Sequence, residues 1–235
     1  MLEMRNITPE EFLPWLSAES RAHGNRLNHD PEVLRPTFDL DRSIAVFEEG
    51  QIVGGAHSHR VSISTPGSSA IVAGVSNVAV QPTHRRRGVM TQMMQHQLQD
   101  VHDREEPLAA LFASESLIYG RFGYGVGSLY EQWSIPREHN SFAQPSSDNG
   151  NIAFVHPLDI PTILPNISKE STADRPGVFQ KPMHQWQQES QAPEHLEGGS
   201  GGLFYACYQN DSVPEGYVIY RIHDRVLHVV ELMAT

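Results

Sequence analysis

Residues 84–88 read His-Arg-Arg-Arg-Gly. They stand between an apolar run, Val75 to Val80, and a stretch with apolar residues at helical spacing: Val89, Met90, Met93, Met94, Leu98 and Val101. A strand that enters a helix through such a turn suits phosphate. The first N–H groups of a helix have no intrahelical partner, and the helix dipole makes that end positive. Gly88 has no Cβ, so an anion can approach its backbone closely. Arg85, Arg86 and Arg87 offer planar, forked donors that match phosphate oxygens. Read alone, Arg-Arg-Arg-Gly fits a solvated basic cluster equally well. A second candidate is His57-x-His59, two imidazoles on one face at strand spacing. A structural metal site needs more ligands, and no third one is evident, so no metal is expected.

The elements that must hold the turn follow from the pattern on either side. Leu2 to Ile7 reads as a strand. Thr8-Pro9-Glu10-Glu11 starts a helix, with Thr as cap, Pro at the first position and Glu at the third; Phe12, Trp15 and Leu16 form its buried side. Ser20 to Phe38 is polar, with a short helix near Glu32 to Leu34. Ser43 to Phe47 and Gln51 to Ile63 form a hairpin around Glu48-Glu49-Gly50, and Pro66-Gly67-Ser68-Ser69 a turn. Ala70 to Val80 is then the central strand. After the amphipathic helix comes a strand, Leu108 to Ala113, then Ser114-Glu115 and a short turn, Ser116 to Tyr119. Tyr119, Phe122, Tyr124 and Tyr130, punctuated by glycines, read as an aromatic core cluster, and Val126 to Ile135 alternates as a closing strand.

Residues 138–150 are rich in Ser, Asn, Pro and Gln and read as a linker. The expected division is a domain over 1–137, the linker over 138–150, and a second unit over 151–235. That unit contains a strand at Ile152 to Val155, an Asp159-Ile160-Pro161 segment and a helix around His184 to Ser190. A loop at Glu197 to Gly202 leads to strands Leu203 to Gln209, Gly216 to Ile222 and Val226 to Met233. Asn210-Asp211 and His223-Asp224 are its turn signals. No second basic turn occurs in it.

The 235 residues carry 17 basic and 28 acidic side chains, a net charge of −11. That balance argues against nucleic acid as a partner and suits a cationic one, though it also serves solubility. No apolar run approaches the ~20 residues of a membrane span. The first residues lack the apolar core of a secretion signal, and the single cysteine, Cys207, excludes an intrachain disulfide; a cytoplasmic protein is the expectation.

The stretch from Ile71 to Gly125 resembles the acetyl-CoA-binding core of the GNAT acyltransferases. Their pyrophosphate loop reads Arg/Gln-x-x-Gly-x-Gly/Ala. Arg85-Arg86-Arg87-Gly88-Val89-Met90 matches the first Arg and the Gly; Met90 stands where a small residue is usual. VAVQPTHRRRG followed by PLAALFASESLIYGRFGYG is similar to the Eis (enhanced intracellular survival) N-acetyltransferases, which accept a bulky aliphatic residue there. The similarity is dense over roughly residues 70 to 135 and elsewhere lies in the layout.

The resemblance implies an α/β GNAT fold with a mixed, splayed central sheet and helices on both faces, then a partial second GNAT-like domain. It implies acetyl-CoA as cosubstrate, with the pyrophosphate on Arg85, Arg86, Arg87, Gly88, Val89 and Met90. The pantetheine arm pairs with main-chain groups of the Val78-Ala79-Val80 strand, and Ser114 and Glu115 border the thioester. Ser114 and Glu115 read equally as a cap for the turn that follows. A strand bulge supplies an N–H to the thioester oxygen, and Tyr119 is the general acid for the departing thiolate. His23, Arg26, His29 and Asp30 are candidates to line the acceptor pocket, and a solvated surface is the plainer reading of each. The acceptor is a primary amine of a cationic small molecule, of aminoglycoside or polyamine type, or a lysine.

Family members carry further C-terminal regions whose terminal carboxylate is the proposed base, and they assemble as hexamers. This chain shows no match to that tail and is expected to be a fragment or a short relative, with a homo-oligomer possible. Two other classes fit the same residues: a non-catalytic acetyl-CoA-binding module that lacks the base, and a scaffold that keeps only the fold.

Overall fold

The computed structural model describes residues 2–27, 31–129, 131–144, 149–191 and 202–235. His29, Asp30 and Tyr130, and nearly all of the expected loop from Glu197 to Gly202, lie outside them. The chain divides into two compact units, the first made of 1–61 and 70–126, the second of 62–69 and 127–235.

The first unit opens with β1 (Leu2–Asn6), α1 (Phe12–Ala22) and the one-turn α2 (Pro31–Leu34). The entry to α1 is built as expected, through a short 3₁₀ turn. Glu11 accepts from the Thr8 main-chain N–H at 2.9 Å and is tied to Arg5 at 2.7 Å. β2 (Ser43–Glu48), β3 (Gln51–Thr65), β4 (Ser68–Val80), α3 (Val89–Asp103) and β5 (Ala109–Leu111) follow, with the end of β3 and the start of β4, Ser62–Ser69, counted in the second unit. The strands lie in the order β1-β2-β3-β4-β5, with β1, β2 and β3 antiparallel and β4 and β5 parallel. The turn between β3 and β4 is only Pro66-Gly67, because the strands run on to Thr65 and from Ser68.

Alternation along β2 sorts the two helices. Ala45 and Phe47 pack with Phe12, Trp15 and Leu16 of α1, while Ile44 and Val46 pack with Val89 and Met93 of α3. Two glycines of β3 make this possible. A Cβ on Gly55 would stand 2.4 Å from Trp15 Nε1, and one on Gly54 would stand 2.8 Å from Met93 Sδ. Trp15 Nε1 donates to the Ile44 carbonyl at 3.0 Å, so its buried polar atom is satisfied.

The segment expected as a closing strand, Val126 to Ile135, has no regular structure over its described residues. Alternation gives a strand two faces but not a partner. Among the described residues no neighbouring edge takes its hydrogen bonds, and Val126, Leu129, Trp133 and Ile135 stay exposed.

The second unit contains β6 (Asn151–Phe154), α4 (Ile160–Thr172), β7 (Phe179–Gln180), α5 (Met183–Gln191), β8 (Phe204–Asn210), β9 (Val213–His223) and β10 (Val226–Ala234). Its sheet runs β10-β9-β8-β6, all antiparallel. β8 to β10 are joined by two-residue turns with both central residues at positive φ: Asp211 and Ser212, then Asp224 and Arg225. Ile160, Leu164 and Ile167 of α4 pack with Trp186, Cys207, Tyr217 and Ile219. Among the described residues no helix is long and apolar enough to cross a membrane.

Candidate active site

β4 and β5 pair only at Ala73↔Ala109, Gly74↔Ala110 and Val75↔Leu111. Beyond Val75 and Leu111 they separate. A cavity of about 870 Å³ opens there, lined by Ser76 to Val80 of β4, the turn and first residues of α3, and Leu111, Phe112, Ser114 and Glu115.

The main-chain direction along β4 can be worked out by parity. The Ala73 N–H donates to Leu108 O on the β5 side, while the Gln81 N–H donates to Val53 O on the β3 side. In regular alternation residues 73 and 81 face the same way. They face opposite ways, so one extra residue intervenes, as in a β-bulge. Asn77 is that residue, since its φ of 53° is the one positive value in the strand. Past the bulge, Val78 and Val80 turn their main-chain groups toward the side that β5 has left. Asn77, which the sequence pattern did not single out, thus sets which backbone groups face the cavity.

The basic turn is divided among different partners. Arg85 donates to the Ala22 carbonyl at the end of α1, at 3.2 Å. Gln81 donates to Ala18 O at 2.6 Å and accepts from Arg21 Nε at 3.1 Å, so α1 is pinned where β4 enters the turn. Arg87 does not line the cavity: its guanidinium forks onto Glu48, with Nη1 to Oε2 at 3.0 Å, and His84 joins the same carboxylate at 2.8 Å. Arg87 and His84 hold the Glu48 carboxyl at about 2, well below the usual carboxylate range. Arg86 has no hydrogen bond or ion pair among the described residues and stands at φ 61°. Gly88 is the N-cap of α3 at φ 79°, with no side-chain cap, so the first-turn N–H groups of Val89, Met90 and Thr91 have no intrahelical partner. Met90 lines the cavity, and its sulfur lies 3.9 Å from Arg121 Nη2.

Tyr119 lines the cavity and is half-buried, and burial pushes its phenol up from the ordinary value. Its ring meets that of Tyr124 edge-on at 5.8 Å. The Tyr124 hydroxyl is buried without a hydrogen-bond partner among the described residues and pushed up to about 12, first by burial and then by Tyr119. Ser114 and Glu115 line the cavity, beyond a β5 of three residues rather than at the end of the expected longer strand. Neither acts as a cap, because no side chain caps the short turn after Glu115. Glu19 of α1 and His23, just after it, line it too, whereas Arg26 is exposed and does not.

His57 and His59 are otherwise employed. Ser43 Oγ donates to Asp39 O at 2.8 Å, so it accepts from His57 Nδ1 at 2.7 Å; His57 Nε2 then meets His59 Nδ1 at 3.3 Å. A smaller cavity, about 440 Å³, is lined by Arg42, Arg60, Arg104 and Glu106, where Arg42 and Glu106 form a buried ion pair at 2.7 Å.

Comparison with known proteins adds the remaining observation. The acetyltransferase (GNAT) domain family matches residues 3–127, more than half of the chain, and a second acetyltransferase (GNAT) domain family matches 177–235. The chain belongs to the GNAT acetyltransferases. An uncharacterised N-acetyltransferase of Streptomyces griseus is 30% identical over 234 residues, covering 95% of this chain and 56% of the relative. The N-acetyltransferase Eis of Mycobacterium tuberculosis is 30% identical over 177 residues, 73% of this chain and 43% of Eis. The crystal structure of Eis1 from Mycobacterium abscessus superposes on all of this chain and 59% of its own with a TM-score of 0.76, at 28% identity. The chain spans about half the length of the curated relatives it matches.

Proposed function

We propose that this GNAT chain is an acetyl-CoA-dependent N-acetyltransferase acting on a primary amine of a cationic small molecule or a lysine. The observation that carries the reading is the cavity where β4 leaves β5, with a glycine-capped helix N-terminus and Tyr119 on its walls. The residues present fit the cosubstrate. Arg85, Arg86 and Gly88, with the N–H groups of Val89 and Met90, hold the pyrophosphate; the open side of Gly88, where an added Cβ meets nothing nearer than Gln92 Nε2 at 4.0 Å, admits it. Val78 and Val80 offer main-chain groups to the pantetheine arm, Ala79 holds the strand to the core, and Ser114 and Glu115 border the acyl end. The thioester supplies an activated acyl carbon. The amine attacks it directly, and Tyr119 gives its proton to the departing sulfur. Glu19 and Glu115 favour a cationic acceptor in the same cavity. The working division is a catalytic domain to residue 137, a linker and a second domain from 151, in a cytoplasmic protein able to self-associate.

The test is calorimetric titration with acetyl-CoA followed by a thiol-release assay on polyamines and a lysine peptide. Binding with thiol release is expected. Binding without release points to a binding module, and no binding undoes the assignment of the Arg85–Met90 turn.

A further inference from the structure

We propose that His23, oriented by Glu19, is the base that takes the proton from the acceptor amine. The proposal rests on the acetyltransferase reading above. A protonated amine has no lone pair, so a proton must leave nitrogen before or as the new bond forms. The acid side of the reaction has Tyr119; the base side requires an unprotonated group on the same cavity wall.

His23 follows the last residue of α1 and lines the cavity with Asn77, Glu115 and Tyr119. Its Nδ1 lies 3.2 Å from Glu19 Oε1 and 3.1 Å from the Glu19 main-chain oxygen. A carboxylate and a carbonyl can only accept, so Nδ1 carries a proton, and in the neutral ring the lone pair lies on Nε2. Nε2 has no hydrogen-bond partner among the described residues. A carboxylate on Nδ1 fixes the orientation of the ring.

Among the described residues the other titratable groups on this cavity are His84, Arg85, Arg86, Glu115, Tyr119 and Arg121, beside Glu19 itself. His84 is bonded through both ring nitrogens, to Thr83 at 2.7 Å and Glu48 at 2.8 Å. The arginines stay protonated, and a carboxylate is in general a weaker base than an imidazole. In the transfer the amine nitrogen bonds to the acetyl carbon and the carbon–sulfur bond breaks. The protonated amine first gives one proton to His23 Nε2, which passes it to water; as the neutral amine adds and the adduct collapses, a second nitrogen proton leaves to His23 Nε2 and the Tyr119 proton goes to sulfur. His23 then loses that proton to water and Tyr119 regains one from water, so amide and thiol form with one proton released overall.

The experiment compares the wild-type chain with His23→Gln and Glu19→Gln. It reads acetyl-CoA affinity by calorimetry, thiol release with spermidine and a lysine peptide from pH 6 to 10, and melting temperature. For His23→Gln we expect acetyl-CoA affinity within twofold of wild type, kcat lower by about 10²-fold, and no acid limb in the kcat/KM profile. Glu19→Gln removes the carboxylate that orients the ring, so kcat falls by less than in His23→Gln while acetyl-CoA affinity stays near wild type. A His23→Gln chain that keeps its acid limb, or at least a third of wild-type kcat, overturns the assignment. Loss of acetyl-CoA binding on His23→Gln, with wild type active, moves His23 to the phosphate side; it overturns the base while leaving the transferase standing. A wild-type chain that binds acetyl-CoA and releases no thiol with either amine overturns the transferase reading and the base with it.

Discussion

Replacement of Gly88 by aspartate separates the fold of the basic turn from its use. Gly88 sits at φ 79°, and a Cβ added there meets only Gln92 Nε2, at 4.0 Å. The cost to the fold is therefore confined to the backbone, about 1–2 kcal/mol for an L-residue in the left-handed region. Aspartate recovers part of that as an N-cap. The cost to binding is larger. A phosphate that uses the open side of Gly88 comes within about 5 Å of the new carboxylate. Two like charges at that separation, in an effective dielectric of about 20, repel by about 3.3 kcal/mol. That converts to roughly 250-fold in Kd at 1.36 kcal/mol per decade. Gly88→Ala carries the backbone cost without the charge and should weaken binding by no more than about tenfold. Calorimetry with acetyl-CoA, with thermal melts as the folding control, measures both. A Gly88→Asp chain that melts near wild type and binds acetyl-CoA within threefold refutes the placement of the pyrophosphate.

Tyr119→Phe should leave acetyl-CoA affinity unchanged and lower kcat by about 10²-fold. In wild type the alkaline limb of kcat should lie above the ordinary phenol value, because burial raises the Tyr119 pKa; stopped-flow rates across pH check both. Burial depresses His57 from 6.5 to about 3. The unfolded chain therefore takes up a proton that the fold refuses. The part of stability that depends on neutral His57 is complete above pH 6.5 and is lost as pH falls toward 3, by on the order of 5 kcal/mol. Urea unfolding from pH 8 to 4 should show that slope, and His57→Gln should flatten it. Gly55→Ala puts a methyl 2.4 Å from Trp15 Nε1 and should destabilise by about 2–3 kcal/mol in denaturant melts; an unchanged midpoint contradicts the α1 packing.

The local signals that could be read from the sequence were those with a physical cause close by. The Thr8–Glu11 cap, the β2–β3 hairpin and the α3 periodicity each depend on residues within a turn or two, and each stands in the structure, with the hairpin turn one residue shorter because β2 runs through Glu48. α4 could not be read, because Pro161 and Pro165 look like breakers. Pro161 falls in the first turn, where its missing N–H costs nothing, and Pro165 is carried by the burial of Ile160, Leu164 and Ile167. The strand expected over Val126 to Ile135 failed for the opposite reason, since its pattern was right but no edge receives it. In the site, the turn, Tyr119, Ser114 and Glu115 were legible as residues. The Asn77 bulge was not, because a bulge appears only as a parity change between two neighbouring strands.

The three arginines of the turn show why a basic run is a poor count of anion ligands. Arg87 is neutralised by Glu48, a residue at the end of β2 that is distant in sequence. Arg85 is held by a carbonyl at the end of α1, so it braces the helix that carries Glu19 and His23. Only Arg86 remains uncommitted, in a left-handed conformation. Removing each charge should therefore act differently. Arg86→Ala should weaken acetyl-CoA binding with little change in stability. Arg87→Ala leaves Glu48 with His84 alone and should act on stability first. Arg85→Ala should disturb both the cosubstrate and the acceptor side, raising the KM for the amine as well. Equal effects from all three would mean that the turn works as a diffuse positive patch, and the division of partners seen here would then have no functional content.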